Sequence, residues 1–105
     1  MTGDRTILVT TVDVSSGADD EFNRWYNEVH LPEIMACPGF LSAERYECLD
    51  GQPRYMAVYE LESADALSTT EMKRVRGWGE MFPYVRNFHE RVYSRIFAFA
   101  DQQVE

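Results

Sequence analysis

FNRWYNEVHLPEIMACPGF, residues Phe22–Phe40, begins as an amphipathic helix and then runs into His-Leu-Pro-Glu. At about 100° per residue, Phe22, Trp25, Tyr26 and Val29 share one stripe, while Asn23, Arg24, Asn27 and Glu28 lie elsewhere. Such a stripe faces a sheet. His30, four residues after Tyr26, falls at its edge. If the helix kept its phase, Glu33 would land near the centre of the stripe, where an unpaired carboxylate is costly.

Pro32 bears on that phase. It has no N–H for the carbonyl of Glu28, its ring crowds that carbonyl, and it disfavours the α region at Leu31. The helix is therefore expected to end or kink at His30–Leu31, with Pro32 opening a new turn. His30 then sits at a frayed helix end beside a groove, where the dipole favours its charged form. Packing alone also accounts for these residues: His30 half-buried on a carbonyl, Trp25 and Tyr26 in the core, Glu33 in water. The direction of Glu33 depends on the bend at Leu31.

Outward from this stretch the chain alternates cleanly. TILVTTVDV (Thr6–Val14) is β-branched and apolar, a strand covered on both faces. Asp19, Asp20 and Glu21 suit the positive end of a helix that starts near Ala18 or Asp19, and Cys37-Pro38-Gly39 stops it. Phe40–Leu49 and Arg54–Leu61 read as strands joined by the hairpin signal Asp50-Gly51. Ser63 caps a short second helix over SADALSTTEM. Lys73–Arg91, with two glycines, a proline and many aromatics, reads as loop and broken helix, and Val92–Ala100 as the last strand. The order is β-α-β-β-α-β over a single domain, residues 1–105. This is the ferredoxin-like α+β pattern, an antiparallel sheet with two helices on one face. Leu8, Tyr55, Ala57, Tyr59, Val92 and Ile96 are apolar, and so are Ile7, Val9, Met56, Val58, Phe97 and Phe99 on the alternate positions. A sheet apolar on both faces in so small a chain predicts a homodimer packed sheet to sheet.

The composition, 45% hydrophobic over 105 residues, is that of one globular domain with a modest core. A net charge of −8 disfavours nucleic acid and anionic membrane surfaces. The N-terminus has no long apolar run, so the expected location is cytoplasmic, with Cys37 and Cys48 reduced.

The run Trp25-Tyr-Asn-Glu-Val-His30-Leu-Pro32-Glu, followed by Pro38-Gly39-Phe40, resembles the N-terminal signature of EthD-like proteins of the dimeric α+β barrel superfamily. Small polyketide cyclases, cofactor-free monooxygenases and muconolactone isomerases are among the relatives. The resemblance implies a dimer, a pocket in each subunit between sheet and helices, and a flat, hydrophobic, often phenolic ligand. It also implies His30 as a site residue. The second-helix histidine of the cyclases has no counterpart in SADALSTTEM.

The candidate chemistry is acid/base catalysis without a cofactor. His30 is the principal acid or base, Glu33 or Tyr26 orients it, and His89 is a second proton handler if Gly77–His89 folds over the pocket. Trp25, Tyr46, Tyr59, Trp78, Phe82 and Phe88 are candidates for an apolar wall. Gly77 and Gly79 flank Trp78 as in a lid, although plain packing explains that loop equally well. Phosphate loops, CxxC pairs, a serine elbow and HExxH-like metal spacing are absent. A heme would take His30 or His89 as its ligand.

Overall fold

The computed structural model describes residues 5–99. Four antiparallel strands, in the order β2-β3-β1-β4, form one sheet. They are β1 (Thr6–Val14), β2 (Phe40–Glu47), β3 (Tyr55–Leu61) and β4 (Val85–Ser94). The helical segments cover one face, as the β-α-β-β-α-β order predicts. Among the described residues, no helix is long and apolar enough to cross a membrane.

The first helix departs from expectation. It does not end at Leu31. α1 (Asp19–Trp25) passes through a π turn (Tyr26–His30) directly into α2 (Leu31–Met35). His30 and Leu31 both keep right-handed helical angles, and the Leu31 amide donates to the Tyr26 carbonyl five residues back. Proline inside an α-helix costs about 3 kcal/mol through the lost donor and the ring clash. The wider turn relieves that conflict and keeps the rod continuous.

It also moves the helix phase by one position. Phe22, Trp25 and Tyr26 are buried as the wheel predicts. Beyond the turn the buried residues are His30, Ile34 and Cys37, while Val29 is 43% exposed and Glu33 faces solvent. His30 is thus in mid-rod and 6% exposed, not frayed at a helix end. The rod stops where expected. Gly39 follows Pro38 at φ +90°, and a β-carbon there would lie 2.7 Å from that of Ala66, so this turn requires glycine.

The second helical region is not one helix over SADALSTTEM. A 3₁₀ turn (Ala64–Ser68) is capped by Ser63, whose hydroxyl accepts from the Asp65 amide. α3 (Thr70–Val75) is capped by Thr69, whose hydroxyl accepts from the Met72 amide. Thr69 has extended backbone angles, so its own cap divides the segment. A further 3₁₀ turn spans Gly79–Tyr84.

The last strand is displaced from its expected position. It runs Val85–Ser94 instead of Val92–Ala100. Residues 95–99 carry no regular structure, and Ala100 lies outside the described residues. Its pairing with β1 shifts between Thr11↔His89 and Asp13↔Arg86, so β4 carries an extra residue there. Asn87 sits in this bulge at φ +56°. Its amide donates to Oδ2 of the buried Asp13 at 3.0 Å, and the Arg54 amide donates to Oδ1 at 2.7 Å. Side chains alternate along a strand, so one extra residue exchanges the faces. Val85 packs on the core before the bulge; after it, Glu90 and Val92 pair with Thr10 and Leu8 on the helix side, and His89 pairs with Thr11 on the other.

Phe22, Tyr59 and Met81 are the largest fully buried side chains, and they anchor a core between sheet and helices. The opposite face presents half-buried Ile7, Val9, Met56 and Val58.

Asn87 tests the bulge. Asn87→Gly keeps the left-handed angle and loses the bond to Asp13, costing about 1 kcal/mol. Asn87→Val adds the strain of a β-branched side chain at positive φ, for a total of roughly 2–4 kcal/mol. Urea denaturation should therefore rank wild type above Asn87→Gly and Asn87→Gly above Asn87→Val. Equal midpoints for the two variants would contradict the bulge geometry.

Candidate functional site

A cavity of about 300 Å³ lies between the sheet and the helical layer. Leu8, Thr10, Tyr59, Phe88 and Glu90 line it from the sheet; Tyr26, His30 and Ile34 from the first rod; and Met72, Arg76, Gly77 and Trp78 from the other side. The π turn places Tyr26, His30 and Ile34, spaced four residues apart, along one wall.

His30 is held by rings. It stacks on Trp25 with centroids 4.7 Å apart and 17° between planes, meets Tyr26 edge-on at 5.0 Å, and lies 5.7 Å from Trp78. Neither ring nitrogen hydrogen-bonds to any described residue. A buried polar group of this kind ordinarily has a partner, and the space beside it is the cavity. Burial first, and then the Arg45 charge, push its pKa down to about 4, so it is a neutral imidazole near pH 7. That reverses the expectation of a charged histidine at a helix C-terminus.

Tyr26 and Tyr59 join hydroxyl to hydroxyl at 2.5 Å, both fully inside the core. Burial raises the pKa of each, and the nearby Arg45 charge opposes the rise. Both are neutral phenols. Arg45, on β2, places its guanidinium 4.3 Å from the centroid of the Tyr26 ring. Its nitrogens donate to Oδ1 of Asn27 at 2.9 Å and to Oδ1 of Asn23 at 2.7 Å. At the rim Arg76 pairs with Glu90 at 2.9 Å and also donates to the Leu67 carbonyl.

A family model matches residues 5–102 of the sequence. The chain belongs to that family, described as a domain of unknown function, DUF4286. No curated protein matches it in sequence. Among solved structures it is similar to SnoaB, a cofactor-independent oxygenase from Streptomyces nogalater. The TM-score is 0.71 at 14% identity, covering 94% of this chain and 100% of that one. It is also similar to the heme-degrader MhuD from Mycobacterium tuberculosis, with a TM-score of 0.70 at 17% identity, over 89% and 97% of the two chains. A third is an EthD-family protein from Bacillus halodurans, with a TM-score of 0.63 at 14% identity, over 88% and 99%. At these identities the likeness is one of fold, the ferredoxin-like antiparallel sheet with helices on one face.

Of the residues singled out in the sequence, His30, Tyr26, Tyr59, Trp78 and Phe88 meet at the cavity. Trp25 stands one layer behind, stacked on His30. Glu33 faces solvent, turned out by the π turn. His89 is exposed on the far side of the sheet, turned there by the bulge at Asn87. Tyr46 pairs with Met56 on that same far face and is 48% exposed. Phe82 is 72% exposed and lies outside the cavity. Among the described residues, no group of three or more His, Cys, Asp and Glu side chains comes together to hold a metal.

Thr10, Arg45, Arg76 and Glu90 were missed. Thr10 is polar in an apolar strand, TILVTTVDV, and that was its available signal. Arg45 carried none, because its partners Asn23 and Asn27 lie about twenty residues earlier in the chain.

The depressed histidine makes stability depend on pH. In the unfolded chain His30 titrates near 6.5, and in the folded chain near 4. Between these values the unfolded state binds a proton that the folded state refuses. This contribution is complete above pH 6.5 and is lost as pH falls towards 4, a change of about 3 kcal/mol. Denaturation curves at several pH values should show that loss in the wild type and its absence in His30→Gln. Identical pH slopes would contradict the assignment.

Proposed function

We propose that this protein is a cofactor-independent enzyme that performs acid/base chemistry on a small hydrophobic, aromatic or polyketide-like molecule bound between sheet and helices. The observation that carries this reading is His30, buried, neutral and without a hydrogen-bond partner among the described residues, open to an otherwise largely apolar cavity. A neutral imidazole accepts a proton, and the partner missing from the protein is then the substrate. The cavity volume, about 300 Å³, is at the small end for ligand sites and suits one or two rings. Trp78 and Phe88, edge to face at 5.1 Å, form an aromatic corner for a flat molecule. Isomerisation, cyclisation, dehydration and lyase reactions all begin with the proton transfer that His30 supports.

Heme suits these residues poorly. Trp25 covers one face of His30, and Trp78 crowds the ring from the cavity side. A second reading is cofactor-free oxygenation of a phenol, as the likeness to SnoaB suggests; the placement of Trp78 beside His30 favours it. Oxygen uptake with a phenolic substrate separates the two. A binding protein without turnover is the remaining outcome.

His30→Gln, shown to be folded, should lower turnover of a substrate found by screening flat aromatic molecules by about 10²–10⁴-fold while retaining binding. Turnover at the wild-type rate would sink the assignment.

The reading includes a homodimer closed over the second sheet face. Ile7, Val9, Met56 and Val58 are only half-covered there, and a second copy of the same face is their natural cover. Light scattering should give twice the 12.2 kDa chain mass at micromolar concentration, and Val9→Glu should return it to 12.2 kDa. A wild-type monomer would overturn this part.

A further inference from the structure

The cavity floor holds three hydroxyls, those of Thr10, Tyr26 and Tyr59, and all three residues are at least nine-tenths buried. Tyr26 bonds to Tyr59, and Thr10 bonds to Tyr26 as well. Three hydroxyls carry three protons, and these two links use two of them. The third proton has no acceptor among the described residues. A buried donor left without an acceptor is costly, and the open space beside these hydroxyls is the cavity.

The charges around these hydroxyls are unequal. On the rod side stands neutral His30. From β4 comes Glu90 and from beyond α3 comes Arg76, which neutralise each other in their ion pair. From β2 comes Arg45, and its near partners are the neutral amides of Asn23 and Asn27 and the faces of Phe22, Tyr26 and Tyr55. Among the described residues no carboxylate is paired with it, so their net field over the tyrosine hydroxyls is positive.

The geometry points to an oxyanion site: the Thr10–Tyr26–Tyr59 cluster donates its one spare hydroxyl proton to a substrate oxygen that carries negative charge, an enolate or phenolate, and Arg45 supplies the countercharge through the Tyr26 ring. This deepens the acid/base reading and rests on it for the proton acceptor. A C–H or O–H bond of the substrate breaks and its proton goes to a ring nitrogen of His30. The electron pair left behind resides on the substrate oxygen, and the hydroxyls hold it there. No oxidant or reductant enters. The negative oxygen also offsets the penalty on the imidazolium that forms beside it. The hydroxyl cluster touches the ligand oxygen, whereas Arg45 is a positioning residue that acts through Tyr26.

A nitrophenol whose anion absorbs in the visible is the probe, since its colour reports ionisation without any turnover. Bound to the wild type, it should ionise about ten-fold or more readily than in water. Tyr59→Phe, which keeps the packing, should abolish most of that preference, and Thr10→Val should weaken it. Arg45→Met should reduce it, with partial return in Arg45→Lys. His30→Gln should retain it even where turnover is lost. Ionisation unchanged on binding, no binding, or equal shifts in the wild type and Tyr59→Phe would overturn the oxyanion site. If His30→Gln keeps full turnover while Tyr59→Phe loses the shift, the base assignment fails and the oxyanion site stands.

Discussion

Pro32 has no amide proton to give, and the first helix continues through it only by widening. The π turn at Tyr26–His30 is therefore the constraint on which the site depends. It rotates everything after it by about one residue, bringing His30 and Ile34 to the wall of the cavity and sending Val29 and Glu33 outwards. A break at the same place would have produced a frayed histidine in water. Continuity produces a buried one, ringed by Trp25, Tyr26 and Trp78. The difference between an ordinary surface imidazole and one with its pKa near 4 follows from that single turn.

The opposite wall repeats the device in a strand. An extra residue at Asn87 exchanges the faces of β4, so that Glu90 approaches the cavity and His89 leaves it. The buried carboxylate of Asp13 holds the bulge by accepting from Asn87 and from the Arg54 amide. Both walls of the site are set by an insertion into otherwise regular backbone, and in both cases a histidine changes side or depth.

Much of the fold was legible because hydrophobic period and turn chemistry act locally. Thr6–Val14 is the strand its β-branched residues predict, Asp50-Gly51 marks the hairpin, and Pro38-Gly39 closes the first rod. The site was legible in part. His30, Tyr26, Tyr59, Trp78 and Phe88 were identifiable as polar-tipped or aromatic residues near a helix–sheet groove. Glu33 and His89 were not placeable, because their directions depend on the two insertions. Pro32 is as compatible with a break as with a π turn, and only the packing of Ile34 against the sheet side selects the latter. Asn87 is one polar residue in a polar stretch, and its left-handed angle becomes visible only once β1 lies beside it.

The helical insertion also bears on how such a pocket changes over time. Removing one residue from Tyr26–His30 would restore the ordinary pitch and leave His30 and Ile34 on the wall, whereas closing the turn with every residue kept would bring Glu33 in place of Ile34 and Val29 in place of His30. A cavity walled by an imidazole would become one walled by a carboxylate, with no side chain replaced. A residue gained or lost inside the turn is thus taken up by its pitch, and related chains can differ in length there while presenting the same wall to the cavity.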